Sequence, residues 1–329
     1  MPSEVEQGIL EQIRCDGLVG SGNVTMVPFG GGVSSDVWLV EEEGSEPFVV
    51  KRSVAKLRVK AEWFADPARL LYEYRYLEIA AKIAPGAVPK LLSKDPHAPF
   101  VAMEYLGAGF ENWKARLLAG DIRIEDARRA GETLGLIHRA TRNDPEVASQ
   151  FDTLPFFRQL RIEPYLLATA EKHPALAGAI EAEAARLATM RECLVHGDYS
   201  PKNMLVSDGR FAVLDCETAW FGDPAFDLAF VLNHLHLKAL LHSPKLTDLS
   251  SLIEVLSASY FQITGADKAR DRRTARLVLM LLLARVDGKS PAEYLDPARQ
   301  DRLRSFVGPR LNDWDGTLAD LSAQWFQFL

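Results

Sequence analysis

At 329 residues and 36.6 kDa the chain is long enough for two domains, and its 47% hydrophobic and 25% charged content argues against disorder. A net charge of −7 argues against a nucleic-acid partner, because phosphate backbones are held by clustered Lys and Arg. Cys15, Cys193 and Cys216 are widely spaced and form no CxxC pair, which speaks against a disulfide framework or zinc site and fits a reducing compartment.

The acidic start, Ser3-Glu4-Val5-Glu6, has no apolar core, so no secretory signal is expected. Short β-type runs follow at Val24–Phe29, Val37–Glu41 and Phe48–Arg52, with another at Phe100–Tyr105. Between the last two lies a helix, capped by Asp66-Pro67 and running to about Ala84, where Pro85-Gly86 stops it. Beyond Gly107-Ala108-Gly109 amphipathic periodicity predicts helices over Ile124–Thr141, Phe156–Glu171, Ala175–Arg191, Ala225–Leu241, Leu246–Thr264, Ala269–Val286 and Leu318–Phe328. One hairpin interrupts them: Met204–Val206, the turn Ser207–Arg210, then Phe211–Leu214. The longest apolar run, Leu277–Ala284, is too short to span a bilayer and reads as a buried helix. The expectation is an α+β, two-lobed chain: residues 1–106 a small β-rich lobe and residues 107–329 a larger helical lobe. A cytoplasmic location without membrane partner is expected, and the oligomeric state is left open.

The densest chemistry is His196-Gly197-Asp198-Tyr199-Ser200-Pro201-Lys202-Asn203, followed by Asp215 in Val213-Leu214-Asp215-Cys216-Glu217. Phosphoryl transfer needs a carboxylate to take the nucleophile's proton and oxygen ligands for magnesium. Asp198 fits the first role, and Asn203 and Asp215, brought together by the hairpin, fit the second. In the small lobe the phosphates need a cation with an anion behind it. Lys51 ends the third strand, and Glu73 lies in an apolar stripe with Leu70 and Leu77, whereas Glu78 has Lys82 at i+4 on a wetter face. Gly30-Gly31-Gly32, before Ser34, lets backbone N–H groups approach phosphate, and equally suits a plain hairpin turn.

The catalytic run resembles that of the protein-kinase superfamily. Its His-Gly-Asp form, with Gly222-Asp223-Pro224-Ala225-Phe226-Asp227 downstream, is similar to aminoglycoside phosphotransferases and choline kinases. The resemblance implies a protein-kinase-like fold and ATP- and Mg2+-dependent phosphorylation of a small-molecule hydroxyl. It also implies a nucleotide site drawing on Lys51, Glu73, Gly31, Gly32 and Ser34, with backbone groups of Glu104 and Leu106 for adenine. Glu217 is then a third metal ligand or a solvated loop acid, and Asp227 a structural anchor of the loop. The stretch Lys51, Lys60–Phe64, Arg69, Glu73 and Ile83–Lys90 resembles methylthioribose kinases more than the rest, a local likeness. Ser200 replaces the Lys that protein kinases carry two residues after their Asp, which argues against protein phosphorylation. The tail Gln324–Leu329 lacks the acid expected of an aminoglycoside antibiotic kinase. That activity, and a catalytically silent nucleotide-binding regulator, stand as alternatives. His138 reads as a core histidine, and His234 and His236 as a poor metal pair. Arg158 and Arg161 are candidate contacts for an anionic substrate; Arg285–Pro291 reads as a helix end and turn or as part of a substrate pocket.

Overall fold

The computed structural model describes residues 3–29, 34–56 and 66–329. Two compact units divide the chain at Met1–Phe110 and Glu111–Leu329. The first opens on helix α1, Glu4–Cys15, which the sequence reading passed over although Ser3 and Glu6 form a reciprocal cap. Its Ile9 and Ile13 share an apolar cluster with Trp38, Phe48 and Val50 of the sheet and with Phe100 just ahead of its last strand. That sheet is antiparallel in the order β1 (Val24–Pro28), β2 (Ser35–Glu42), β3 (Phe48–Ser53) and, after helix α2 (Arg69–Ile83), β4 (Val101–Glu104). Helix α2 begins later than Asp66-Pro67 predicts: the Asp66 carboxylate accepts from Ala68 N within a turn that precedes the helix.

The second unit begins with β5 (Glu111–Asn112) and α3 (Trp113–Leu118), then α4 (Ile124–Ala140) and α5 (Pro145–Gln150). The single helix expected over Phe156–Glu171 is three pieces: α6 (Leu154–Phe157), a π-helix over Arg158–Leu167, and α7 (Ala168–Lys172). Pro164 lies inside and has no N–H to donate, and the turn widens so that Ala168 N reaches Glu163 O. Helix α8 (Pro174–Thr189) leads to β6 (Cys193–Val195), the hairpin β7 (Met204–Val206) and β8 (Phe211–Val213), and β9 (Trp220–Gly222), which pairs with β6. The remaining helices are α9 (Ala225–Ala239), α10 (Leu246–Thr264), α11 (Lys268–Asp287), α12 (Pro297–Val307) and α13 (Leu318–Phe328).

Helix α9 is almost wholly buried, as is α11 from Leu277 to Asp287, which explains the unbroken apolar run at Leu277–Ala284. Among the described residues no helix is long and apolar enough to cross a membrane. Helices α4 and α10 approach through glycine: a Cβ on Gly131 would lie 2.3 Å from Leu256 O. Gly131→Ala is expected to force the helices apart and cost about 2 kcal/mol, overpacking outweighing the gain in helix propensity. Thermal denaturation checks this: an unchanged Tm would show that the pair can slide at no cost.

Candidate active site

In the first unit β3 carries Lys51 inward, between Val37 of β2 and Val101 of β4 in register. Its ammonium meets the Glu73 carboxylate at 2.7 Å, with both side chains buried. Glu78 instead pairs with Lys82 at 3.6 Å on the surface. A buried ion pair costs desolvation of both ends, so each partner holds the other in place. Ser34 is a bend residue whose carbonyl accepts from Val54 N and the buried Arg69 guanidinium. Gly31 and Gly32, like Lys60–Phe64, lie outside the described residues. Glu104 donates its N–H to Lys90 O at 2.8 Å, so an adenine role for Glu104 rests on its carbonyl; Leu106 follows in irregular backbone.

The second unit builds its loop from the end of β6. Gly197 turns the chain at φ 77°, and a Cβ there would lie 2.5 Å from Thr218 O, so only glycine fits. Asp227, in the first turn of α9 and fully buried, holds the turn from below: Oδ2 accepts from His196 N at 2.7 Å and Oδ1 from Gly197 N at 2.9 Å. His138 Nε2 contacts the same carboxylate at 3.3 Å and its Nδ1 meets Tyr260 OH at 3.1 Å, a core histidine with both nitrogens engaged. His196 accepts at Nδ1 from Asp198 N and therefore donates from Nε2 to Leu214 O at 3.2 Å. Burial, outweighing Asp227 and Asp198 nearby, lowers its pKa and keeps that ring neutral.

From Asp198 the chain makes one 3-10 turn, Pro201–Asn203. Asn203 Nδ2 donates to Asp198 O at 3.0 Å, and Leu214 N donates to Asn203 O at 2.8 Å. The hairpin so returns Asp215 beside Asn203. Asp215 has φ 61°, a left-handed conformation that Asp tolerates better than most residues and that marks a constrained position. Carboxylate oxygens of Asp215 and Glu217 lie within 4.8 Å of one another, and Glu217 is buried rather than a solvated loop acid.

The Asp198 carboxylate is 3% exposed and doubly paired, with Arg161 Nη2 and Lys202 Nζ each 2.9 Å from Oδ2. Burial pushes its pKa up, but Arg161 and then Lys202 outweigh burial and hold the carboxyl below the usual Asp range. Sequence reasoning missed both partners. Lys202 was legible as a cation at i+4 of Asp198; Arg161 was not, because its reach depends on the π-helix. Arg161 also donates to Gly197 O and Leu160 O, so it belongs to the loop itself and is not a loose contact for substrate. Arg158 pairs with Glu163 at the surface. The loop after α11 is a turn: Lys289 N donates to Pro164 O and Arg285 holds Ser290. His236 donates from Nδ1 to Leu232 O, away from His234, and burial lowers its pKa to about 4.

Residues 25–244 match the sequence profile of the phosphotransferase enzyme family. The methylthioribose kinase of Citrobacter koseri is 25% identical over 297 residues, covering 77% of this chain and 70% of that one. That of Cronobacter sakazakii is 24% identical over 301 residues, covering 78% and 71%. A choline/ethanolamine kinase family protein of Mesorhizobium loti superposes with TM-score 0.55 at 16% identity, over 98% of this chain and 99% of that one. Amicoumacin kinase hAmiN superposes with TM-score 0.56 at 14% identity, over 97% of each. The fold is the protein-kinase-like one, an antiparallel N-terminal sheet followed by a larger helical part.

Proposed function

The chain belongs to the phosphotransferase enzyme family, and from that premise we propose that it transfers the γ-phosphoryl of ATP to a hydroxyl of a small molecule. The observation that carries this reading is the tether running from Asp198 through Asn203 and Leu214 to Asp215. It fixes a carboxylate and a set of hard oxygen donors on one short stretch of backbone. Asp198 orients the acceptor hydroxyl and receives its proton. Asn203, Asp215 and Glu217 offer the oxygen ligands that Mg2+ prefers. A bound Mg2+ supplies charge neutralisation at the transferring phosphates. Lys51, positioned by Glu73, serves the α- and β-phosphates; Ser34 with Gly31 and Gly32 covers them, and the Glu104 carbonyl and Leu106 take the adenine edge. Catalysis is then mostly positioning and electrostatics. The methylthioribose kinases among the relatives support a small-molecule acceptor.

The test is thermal stability with and without Mg·ATP, followed by ADP release over a panel of hydroxyl compounds. Stabilisation together with acceptor-dependent ADP release is expected. Stabilisation with no turnover would favour a silent nucleotide-binding regulator, and the absence of both effects would overturn the reading.

A further inference from the structure

One face of α9 carries Phe230, His234 and Lys238 at i, i+4 and i+8, about 12 Å from first to last. Its first end touches the loop machinery: Arg161, the partner of Asp198, lies 5.7 Å from the Phe230 ring centroid, and Phe230 meets the His234 ring at 5.4 Å. At the other end the Lys238 ammonium, on a residue 1% exposed, sits 3.7 Å over the Tyr294 ring. Lys114 of α3 lies over the same ring at 5.9 Å. Arg285 of α11 is buried, and its Nε and the Tyr294 hydroxyl have no hydrogen-bond partner among the described residues.

Donors without acceptors and a buried ammonium against an aromatic face are costly unless acceptor oxygens arrive. The carboxylate in this group, Glu293, is engaged by Lys114, so the cations outnumber it. The crowding shows in the electrostatics. Burial, with Lys114 and Arg285 beside it, lowers the Lys238 pKa to about 7, and burial followed by Arg285, Lys238, Lys202 and Lys114 holds His234 well below its ordinary value.

Resting on the phosphotransferase reading, we infer that this strip is the acceptor subsite and that the acceptor carries an anionic oxygen group, carboxylate or phosphate, roughly 10 Å from the hydroxyl at Asp198. A cationic amino sugar would be repelled here, and an uncharged sugar such as methylthioribose would leave the donors unsatisfied.

The experiment is ADP release over hydroxyl compounds in matched neutral, carboxylated, phosphorylated and aminated forms, methylthioribose included, in wild type, Lys238→Met and Lys114→Met. Turnover confined to the anionic members is expected, with acceptor KM raised about tenfold or more in Lys238→Met, kcat and the KM for ATP holding. The carboxylated and phosphorylated arms separate the two anion types. Equal or better turnover on neutral or aminated members would overturn the inference. Absence of turnover on every member counts against the phosphotransferase reading alone. Sulfate- and citrate-induced thermal shifts, taken with Mg·ATP saturating, then decide: loss of the shift in Lys238→Met or in the milder, part-exposed Lys114→Met supports an anion site, and shifts equal to wild type in both sink it.

Discussion

Asp198→Ala should lower kcat by about 10²-fold or more while the affinity for Mg·ATP changes little. On the proposed reading the carboxylate meets the acceptor hydroxyl, whereas Lys51, held by its ion pair with Glu73, would serve the phosphates from separate elements. Its two cationic partners sharpen the expectation. A carboxyl held below the usual Asp range by Arg161 and Lys202 is a weak base, suited to orienting the hydroxyl and taking its proton late, as a loose phosphoryl-transfer transition state requires. The depressed pKa means that the carboxylate is ionised down to acidic pH, so it puts no acid limb on the rate between pH 5 and 8. In Arg161→Met burial is opposed by Lys202 alone and the Asp198 pKa rises, so an acid limb in kcat/KM should move upward. Profiles of kcat/KM against pH for wild type and Arg161→Met check this. Superimposable profiles would remove Arg161 from control of Asp198, and full turnover in Asp198→Ala would remove Asp198 from the chemistry.

What the sequence revealed follows a physical line. Helices with strong periodicity, such as Leu246–Thr264 and Leu318–Phe328, are readable to their ends because each has one buried face and clear boundaries, whereas the strands are readable in place and shift by a residue or two at their ends. Asp-Pro pairs show the limit. Asp66-Pro67 looked like a helix start and forms a preceding turn, whereas Asp144-Pro145 and Asp296-Pro297, not read as starts, cap α5 and α12 in earnest. The side chain chooses between cap and turn according to what the next turn of chain packs against, and that is tertiary information. The same holds at the loop. The order of Asp198, Asn203 and Asp215 is written in the sequence, but the π-helix that brings Arg161 to Asp198 arises from Pro164 and the packing around it. Arg285 Nε and the Tyr294 hydroxyl, without hydrogen-bond partners among the described residues, leave no sequence signal at all, since each is defined by what does not surround it.

Asp227→Ala should lower the stability of the second unit by about 3 kcal/mol, because two buried backbone N–H groups lose a charged acceptor at once. For a unit of this size that lowers Tm by about 6–12 °C. The loss should not be confined to stability. His196 N and Gly197 N are held from opposite oxygens of one carboxylate, and His196 in turn orients Asp198 N and Leu214 O. Releasing the pair lets Gly197 leave its φ of 77° and carries Asp198 away from Arg161. A fall in kcat of about tenfold or more is therefore expected at temperatures where the variant is still folded, with the KM for ATP nearly constant. Asp227→Asn separates charge from shape: its amide keeps one oxygen and turns an NH2 toward the other backbone N–H, so it should recover little of either loss. Melting curves and kcat measured well below each Tm decide the matter, and wild-type values in Asp227→Asn would show that the loop holds its turn without the second acceptor.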